Sequence, residues 1–303
     1  MPDKTAFLFP GQGSQKVGMG LELCETFPDV KARFFDRADE LLGFSLSELC
    51  FQGPEPELTR TENAQPALLL VSIAALEALR RYGHQPDAVA GHSLGEYSGL
   101  VAAGALTFED ALRLVRCRGE LMARVGEAVR GGMAAVIGLP PEAVEAICRD
   151  AAEAGIVQVA NYNAPEQSVI SGELPAVERA SALAKERGAS RVLPLNVSAP
   201  FHCRLMAPLR TEMAAVLDQV AIQAPQVPVI ANVTADLART PAEIRRALAD
   251  QVAGAVRWTD SLHRLAAEGI TRFVEVGPER VLTGLVRRTL PAAAALTYDL
   301  LLR

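Results

Sequence analysis

The chain has 303 residues, half of them hydrophobic, and a formal net charge of -6 at pH 7. This length and apolar content suffice for a large core in one sizeable domain or two smaller ones, which excludes a disordered chain. The acidic balance and the lack of any long Lys/Arg run argue against non-specific binding to nucleic acid.

Neither a membrane segment nor a disulfide framework is predicted. The longest apolar run, Ala67–Leu76, is shorter than the ~20 residues that cross a bilayer, and the N-terminal MPDKTAFLFPG lacks the hydrophobic stretch of a signal peptide. The five cysteines are scattered, with no Cys-x-x-Cys pair, so they indicate neither disulfides nor a zinc site. We therefore expect a cytoplasmic protein with no bound metal.

The first part of the chain alternates between strand and helix patterns. Thr5–Phe9 is a short apolar strand, and after the turn PGQGSQ helical patterns continue to Tyr82. A second strand at Ala88–Ala90 is followed by a helix at Glu96–Ala103. Such alternation predicts an α/β fold, doubly wound, with helices on both faces of a mainly parallel sheet.

Residues 127–198 depart from this alternation. Their patterns indicate strand, helix, strand, strand, helix and strand, which is the order of a ferredoxin-like unit. We therefore predict a large α/β domain from residues 1–126 and 199–303, interrupted by an inserted ferredoxin-like subdomain at residues 127–198. The large domain would include the late apolar strand RFVEVG, and a ligand would bind in the cleft between the two bodies.

One serine stands on a predicted turn between a strand and a helix. In DAVAGHSLGEYSGLVAAG, Ser93 lies in Gly-x-Ser-x-Gly, where flanking glycines allow a sharp, strained turn that exposes the hydroxyl. This is the arrangement of a nucleophile elbow. The alternative is that Ser93 only caps the helix that follows, because serine is a preferred N-cap residue.

A serine nucleophile needs a base, and the chain has four histidines. His202 is the best candidate, because it follows SAPF where the chain returns from the insertion to the large domain, beside the predicted cleft. His92 is the immediate neighbour of the serine, so its side chain should diverge. His84 in a polar turn and His263 in a helical pattern suit surface or packing roles. A loop histidine without function remains the alternative for His202.

Arg118 lies within the apolar arc of a predicted amphipathic helix. The helix sequence is FEDALRLVRCRGELMARV, and Thr107 with Asp110 forms a capping-box signature at its start. Burying an unpaired guanidinium is costly, so an anion should meet it. Two interpretations stay open: a structural pair with a buried Asp or Glu, and a bidentate clamp for a substrate carboxylate.

The turn PGQGSQ matches no nucleotide-binding fingerprint. Gly11, Gly13 and Gly18 do not fit Gly-x-Gly-x-x-Gly, and no Gly-Lys-Ser/Thr follows. In a parallel sheet this turn would lie close to the serine turn. The backbone N–H groups of Gln12 and Leu94 could then serve as two donors for an oxyanion.

Taken together, several stretches in this order resemble the malonyl-CoA:acyl carrier protein transacylases of fatty acid synthesis. They are FLFPGQGSQKVGMG, TENAQPAL, GHSLGEYSGLVAAGAL, Arg118, NYNAPEQSVISG, VSAPFHCRLM and FVEVGP. The resemblance implies transfer of a malonyl group from malonyl-CoA to the phosphopantetheine thiol of an acyl carrier protein through a malonyl-serine ester. It implies no permanently bound cofactor, no metal, and no nucleic-acid or membrane partner. We expect a monomer.

The resemblance also implies a role for each site residue. They are Ser93 as nucleophile, His202 as base, Arg118 as clamp for the malonyl carboxylate, Gln12 and Leu94 as oxyanion hole, Gln251 as the residue whose backbone carbonyl orients the histidine, and Gln167 beside the pocket. Phe201 departs from the small residue that housekeeping members often have. In related polyketide acyltransferases, phenylalanine at this position accompanies selection of malonyl over methylmalonyl groups.

Three alternatives remain at this point. Discrete acyltransferases that load polyketide synthases share the same signature. A serine hydrolase has the same elbow, but ordinarily the order Ser, Asp or Glu, His and a His-Gly-Gly-Gly-type loop, which this sequence lacks. A non-catalytic module that docks carrier proteins would not need Ser93, His202 and Arg118 together.

Overall fold

The computed structural model describes residues 4–197 and 199–302. Its strands, in chain order, are β1 (Lys4–Phe9), β2 (Ala88–Gly91), β3 (Gly131–Ile137), β4 (Val157–Ala164), β5 (Gln167–Glu173), β6 (Arg191–Pro194), β7 (Val229–Ala231), β8 (Asp236–Ala238), β9 (Ile270–Glu275) and β10 (Ala294–Thr297). Within the described residues they form a six-stranded sheet in the order β10-β9-β1-β2-β7-β8 and a four-stranded sheet in the order β4-β5-β3-β6.

Helices cover both sheets. The α-helices, in chain order, are α1 (Leu21–Thr26), α2 (Pro28–Val30), α3 (Arg37–Leu42), α4 (Leu46–Gln52), α5 (Glu55–Thr59), α6 (Thr61–Arg81), α7 (Gly95–Ala102), α8 (Phe108–Ala128), α9 (Pro141–Asp150), α10 (Leu174–Glu186), α11 (Leu209–Leu217), α12 (Pro241–Gln251), α13 (Trp258–Ala267) and α14 (Val281–Thr289). A π-helical segment joins α2 to α3 at Lys31–Asp36. Short 3-10 helices lie at Ala152–Ala154, Arg204–Met206 and Tyr298–Leu301.

The six-stranded sheet is mainly parallel, as predicted. β1 pairs in parallel with β2 and β9, β2 with β7, and β9 with β10, whereas β7 and β8 pair in an antiparallel manner. Strands buried on both faces read as continuous apolar runs, which explains why TAFLF and AVAG show no polar alternation. The predicted α/β class is therefore confirmed.

Alternate side chains of the central strands enter two different cores. Phe7 and Phe9 of β1 belong to a large core built with α6, α7 and α8, whereas Ala6 and Leu8 face a smaller core built with α13 and α14. This follows from the period of two along a strand. α8 begins as predicted, because the Thr107 hydroxyl accepts a hydrogen bond from the backbone N–H of Asp110 at 3.1 Å.

The four-stranded sheet is antiparallel and has the predicted ferredoxin-like order of elements, β3-α9-β4-β5-α10-β6. Its own apolar core lies between the sheet and helices α9 and α10. The last strand, Arg191–Pro194, is shorter than the predicted SRVLPLNV, although the Leu195 N–H still donates to the Met133 carbonyl at 2.9 Å. The division at residues 127 and 198 stays a prediction: α8 runs to Ala128, and Ser198 lies outside the described residues.

Three observations concern membrane, redox and metal chemistry. No helix in the described ranges combines the length and the apolar character needed to cross a bilayer. The five cysteines are free thiols. Across residues 4–197 and 199–302, no group of three or more His, Cys, Asp or Glu side chains could hold a metal ion.

Candidate active site

Ser93 lies on the sharp turn that joins β2 to α7. Its φ is +53°, a left-handed conformation that a serine adopts only under strain. The turn is tight because a Cβ on Gly91 would collide with the backbone of Gly95, and a Cβ on Gly95 would collide with the carbonyl of Phe9. The two glycines therefore allow the elbow to form against β1, and the Ser93 hydroxyl is left facing a cavity.

His202 reaches the serine from the segment that follows the antiparallel sheet. Its Nε2 lies 2.7 Å from the Ser93 Oγ, and the histidine also has a positive φ, +57°. Its Nδ1 lies 2.9 Å from the carbonyl oxygen of Gln251 and 3.1 Å from that of Gly254. Because carbonyl oxygens only accept, Nδ1 carries the proton, and Nε2 is left to accept a proton from the serine hydroxyl.

The groups that orient His202 belong to the end of a helix. Gln251 is the last residue of α12, so its carbonyl lies at the partially negative end of the helix dipole. Such an end stabilises a positive charge on the imidazole without a carboxylate. The sequence prediction that the Gln251 carbonyl faces the histidine agrees with this geometry.

Burial keeps the His202 imidazole neutral. The residue is 4% exposed, and burial, followed by the positive charge of Arg118, lowers its pKa from 6.5 to about 3. A neutral imidazole at physiological pH is available to take a proton. Its Nε2 therefore serves as a hydrogen-bond acceptor for the Ser93 hydroxyl in the free protein.

Arg118 is buried beside the serine and is held by neutral groups. Its Nη1 donates to the Gln65 side-chain oxygen at 2.7 Å, and its Nη2 donates to the Ser93 Oγ at 3.0 Å and to the Gln251 side-chain oxygen at 2.9 Å. The residue is 1% exposed, and burial lowers its pKa. Across residues 4–197 and 199–302, no carboxylate forms an ion pair with it and its Nε has no hydrogen-bond partner. The guanidinium thus retains capacity for an anion.

These side chains surround a cavity of about 90 Å³. The lining residues are Gln12, Gln65, His92, Ser93, Leu94, Arg118, Met122, Met133, Asn161, Leu195, Val197, Phe201 and His202. In the described part of the chain, the backbone N–H groups of Gln12 and Leu94 donate to no protein acceptor. They are therefore available to an oxygen atom bound in the cavity.

The structure brings most of the predicted site residues together, but Gln167 lies elsewhere. Its side chain accepts a hydrogen bond from Arg288 and lines a separate cavity with Ile137. The reason is the register of the antiparallel sheet: Gln167 pairs with Ile137, four residues along β3 from Met133 of the serine cavity. Four strand residues span roughly 13 Å, so the expected place of Gln167 beside the pocket is corrected.

Several polar residues of the site were not singled out from the sequence. Gln65 and Glu96 lie in helices whose other buried residues are mostly apolar, and that contrast was a usable signal. Asn232 follows β7; its side-chain oxygen accepts from the Ser93 N–H at 2.7 Å, and its side-chain nitrogen donates to the Gly91 carbonyl at 2.6 Å. Its place beside the elbow depends on sheet order, which no local pattern showed.

Comparison with known proteins agrees with this site. The sequence model of the acyl transferase domain family matches residues 6–301. The malonyl CoA-acyl carrier protein transacylase of Bacillus subtilis is 52% identical over 286 residues, covering 94% of this chain and 90% of that protein. An acyl carrier protein S-malonyltransferase from Vibrio cholerae has a TM-score of 0.93 at 45% identity, covering 97% of this chain and 96% of that one.

A further solved structure contains two proteins. It is a malonyl-transacylase in complex with its type II PKS acyl-carrier protein, with a TM-score of 0.92 at 43% identity, covering 97% of this chain and 94% of that chain. These similarities extend over nearly the full length of this chain and of each protein compared with it. The chain belongs to the acyl transferase family, in the group of malonyl CoA-acyl carrier protein transacylases.

Proposed function

We propose that the protein transfers a malonyl group from malonyl-CoA to the phosphopantetheine thiol of an acyl carrier protein, through a malonyl ester on Ser93. The observation that carries the proposal is the contact of one oxygen with two groups. The Ser93 Oγ lies 2.7 Å from the His202 Nε2 and 3.0 Å from the Arg118 Nη2. A base and an anion-binding cation therefore meet at the candidate nucleophile.

In the first half-reaction, His202 takes the Ser93 proton while Oγ attacks the thioester carbonyl. The N–H groups of Gln12 and Leu94 stabilise the oxyanion of the tetrahedral intermediate. When the C–S bond breaks, the imidazolium returns its proton to the leaving CoA thiolate. Malonyl-serine and CoA thiol are the products, so the proton count balances.

In the second half-reaction, the phosphopantetheine thiol takes the place of CoA. His202 removes the thiol proton, the thiolate attacks the ester carbonyl, and the same two N–H groups stabilise the oxyanion. The C–O bond to Ser93 then breaks, and the serine oxygen takes the proton back from the imidazolium. The malonyl thioester of the carrier protein leaves, and the enzyme is restored.

The position of Arg118 explains why the transferred acyl group should carry a carboxylate. One methylene separates the malonyl carboxylate from the carbonyl that Oγ attacks, so a guanidinium next to Oγ can reach it. The carboxylate supplies the anion that a buried guanidinium with neutral partners lacks. The proposed chemistry uses only side chains and backbone of this chain, and the lack of a resident cofactor, the cytoplasmic location and the monomeric state stay predictions.

The test follows the acyl group. After incubation with labelled malonyl-CoA, intact mass should show one added malonyl group, which Ser93→Ala should abolish. Ser98→Ala is the matched control, because Ser98 is a buried serine in α7, the helix after the elbow, and its hydroxyl has no hydrogen-bond partner in the described residues. A retained adduct in Ser93→Ala would contradict the proposed nucleophile.

The loaded enzyme then distinguishes the alternatives. Discharge onto a fatty-acid acyl carrier protein, onto a polyketide carrier protein, or into water identifies a fatty-acid transacylase, a polyketide-loading acyltransferase or a hydrolase. The similarity to a transacylase bound to a PKS carrier protein makes the second arm necessary. We expect transfer to a carrier to exceed release into water.

A further inference from the structure

Glu96 is a buried carboxyl close to the serine turn that the reaction steps do not use. It is the one charged residue in the α7 sequence GEYSGLVA and is 3% exposed. Among the residues that the structure describes, no cation forms an ion pair with it. A buried carboxyl is unfavourable unless hydrogen bonds compensate for the loss of water, so its bonding partners indicate why it is there.

Both hydrogen bonds to Glu96 go to one carboxylate oxygen. The Oε2 atom accepts from the backbone N–H of Asn232 at 3.0 Å and from the Gln251 side-chain nitrogen at 2.8 Å. Asn232 is the residue whose side chain bridges the Gly91 carbonyl and the Ser93 N–H across the elbow. Glu96 therefore contacts the two residues that hold the strained serine turn and the buried guanidinium.

The Gln251 amide has a defined orientation because its two ends differ. Its nitrogen donates to Glu96 and, at 2.9 Å, to the Ser93 carbonyl, which leaves its oxygen to accept from the Arg118 Nη2 at 2.9 Å. If the amide turned over, its NH₂ group would face the guanidinium, and two donors would oppose each other. The two acceptors that face the amide nitrogen, the Glu96 carboxylate and the Ser93 carbonyl, thus keep the amide oxygen facing Arg118, and Glu96 is the one of them that a side-chain substitution can remove.

We propose that Glu96 is a positioning residue for malonyl transfer. Its carboxylate fixes the Gln251 amide so that the amide oxygen holds Arg118, and it fixes Asn232 so that the asparagine side chain holds the Ser93 turn. The inference rests on the proposed function, because Arg118 and Ser93 are the groups that it positions. Glu96 is not among the residues that line the cavity, and its carboxylate bonds to Asn232 and Gln251 rather than to the Ser93 hydroxyl.

The burial of Glu96 sets the conditions of the test. Burial raises its pKa to about 7, while the bonds from Asn232 and Gln251 and the charge of Arg118 favour the ionised form. Tyr97, the next residue, is also fully buried beside these groups. Measurements at about pH 8 keep most of the carboxyl ionised.

The experiment compares the rates at which Ser93 takes up malonyl and acetyl groups from their CoA thioesters. Glu96→Ala removes the acceptor, so malonyl loading should fall about tenfold or more relative to acetyl loading, because Arg118 acts on the carboxylate alone. Glu96→Gln can still accept both bonds through its amide oxygen, and should keep the ratio within about threefold of wild type. Glu96→Asp keeps the charge but is one methylene shorter, so the malonyl-to-acetyl ratio should fall as it does in Glu96→Ala.

Glu275 provides the matched control. It is also buried, and its carboxylate accepts from the backbone N–H groups of Val281, Leu282 and Thr283 at the start of α14. Glu275→Ala and Glu275→Gln should lower the unfolding temperature without changing the malonyl-to-acetyl ratio. This control separates the loss of a buried carboxylate from a specific effect on the site.

The outcomes are separable. A folded Glu96→Ala or Glu96→Asp variant with the wild-type ratio overturns the inference. If Glu96→Ala does not fold, the other two variants decide the question. The malonyl-to-acetyl ratio must stay near the wild-type value in Glu96→Gln and must fall in Glu96→Asp. A wild-type protein that takes no malonyl group on Ser93 contradicts the proposed function instead.

Discussion

The two walls of the Ser93 cavity differ in their chemistry. One wall is built by the parallel sheet, its helices and the turn that carries His202, and it supplies His92, Ser93, Arg118 and His202. The other is built by the antiparallel sheet and the residues directly after its last strand, and it supplies Met133, Asn161, Leu195 and Val197. From this difference we expect the first wall to bind the charged group and transfer protons, and the second wall to limit the size of the acyl group and exclude water.

Removing the cation from the charged wall should have the largest effect. Arg118→Ala should lower kcat/KM for malonyl-CoA about a thousandfold, since truncating one partner of a buried charge pair costs about 3–5 kcal/mol. Acetyl-CoA should react as well as before or better, because the serine and histidine remain and the space favours an apolar group. Arg118→Lys keeps the charge but not the planar fork, so its kcat/KM for malonyl-CoA should lie between those of wild type and Arg118→Ala. Equal loss with both substrates in a folded variant would contradict the division between the walls.

Phe201 sharpens the comparison because it puts an aromatic ring at the boundary of the two walls, directly before His202. The ring is 6% exposed and lines the cavity. A methyl branch on the malonyl α-carbon should collide with it, and overpacking by a methyl group costs about 1–3 kcal/mol. Phe201→Ser should therefore lower the preference for malonyl-CoA over methylmalonyl-CoA about ten- to a hundredfold. The ratio of the two kcat/KM values measures this, and an unchanged ratio in an active variant would place selectivity on the other wall.

The smallest effect concerns stability against pH, to which His202 in the charged wall and Glu96 behind it contribute in opposite directions. Burial lowers the His202 pKa, so this residue makes the fold less stable as the pH falls below its unfolded value of 6.5. Burial raises the Glu96 pKa from 4.5 to about 7, so this residue makes the fold less stable as the pH rises through that interval. Between about pH 4.5 and 6.5 the two contributions oppose each other.

Replacing either His202 or Glu96 should expose the pH dependence of stability that the remaining residue causes. In Glu96→Gln, the free energy of unfolding should rise with pH by up to about 1.4 kcal/mol per unit more than in wild type, and in His202→Gln it should fall to a similar extent. Urea unfolding at about pH 5 and about pH 6.5 measures the slopes. Met133→Leu on the apolar wall is the control and should leave the slope unchanged. A Glu96→Gln slope equal to that of wild type would show that the carboxyl titrates normally.

Sequence patterns predicted the parts of the molecule that are encoded locally. The parallel sheet, the ferredoxin-like order and the Ser93 turn follow from hydrophobic periodicity and glycine placement within short windows. The Glu96 interactions could not be predicted in this way, because its partners Asn232 and Gln251 are 136 and 155 residues distant along the chain. Gln167 was misplaced for a related reason, since a motif identifies a residue but the strand register decides which cavity it faces.

The orientation of His202 by main-chain carbonyls has a consequence for how the enzyme can vary. A carboxylate in this position could be deleted by one nucleotide change, whereas the carbonyls of Gln251 and Gly254 exist whatever side chains those residues carry. The proton on Nδ1 is therefore protected against mutation as long as the end of α12 keeps its path. Random mutagenesis of this segment should yield variants with altered packing or selectivity far more often than variants whose histidine has the wrong tautomer, so the neighbourhood of the base is open to evolutionary change.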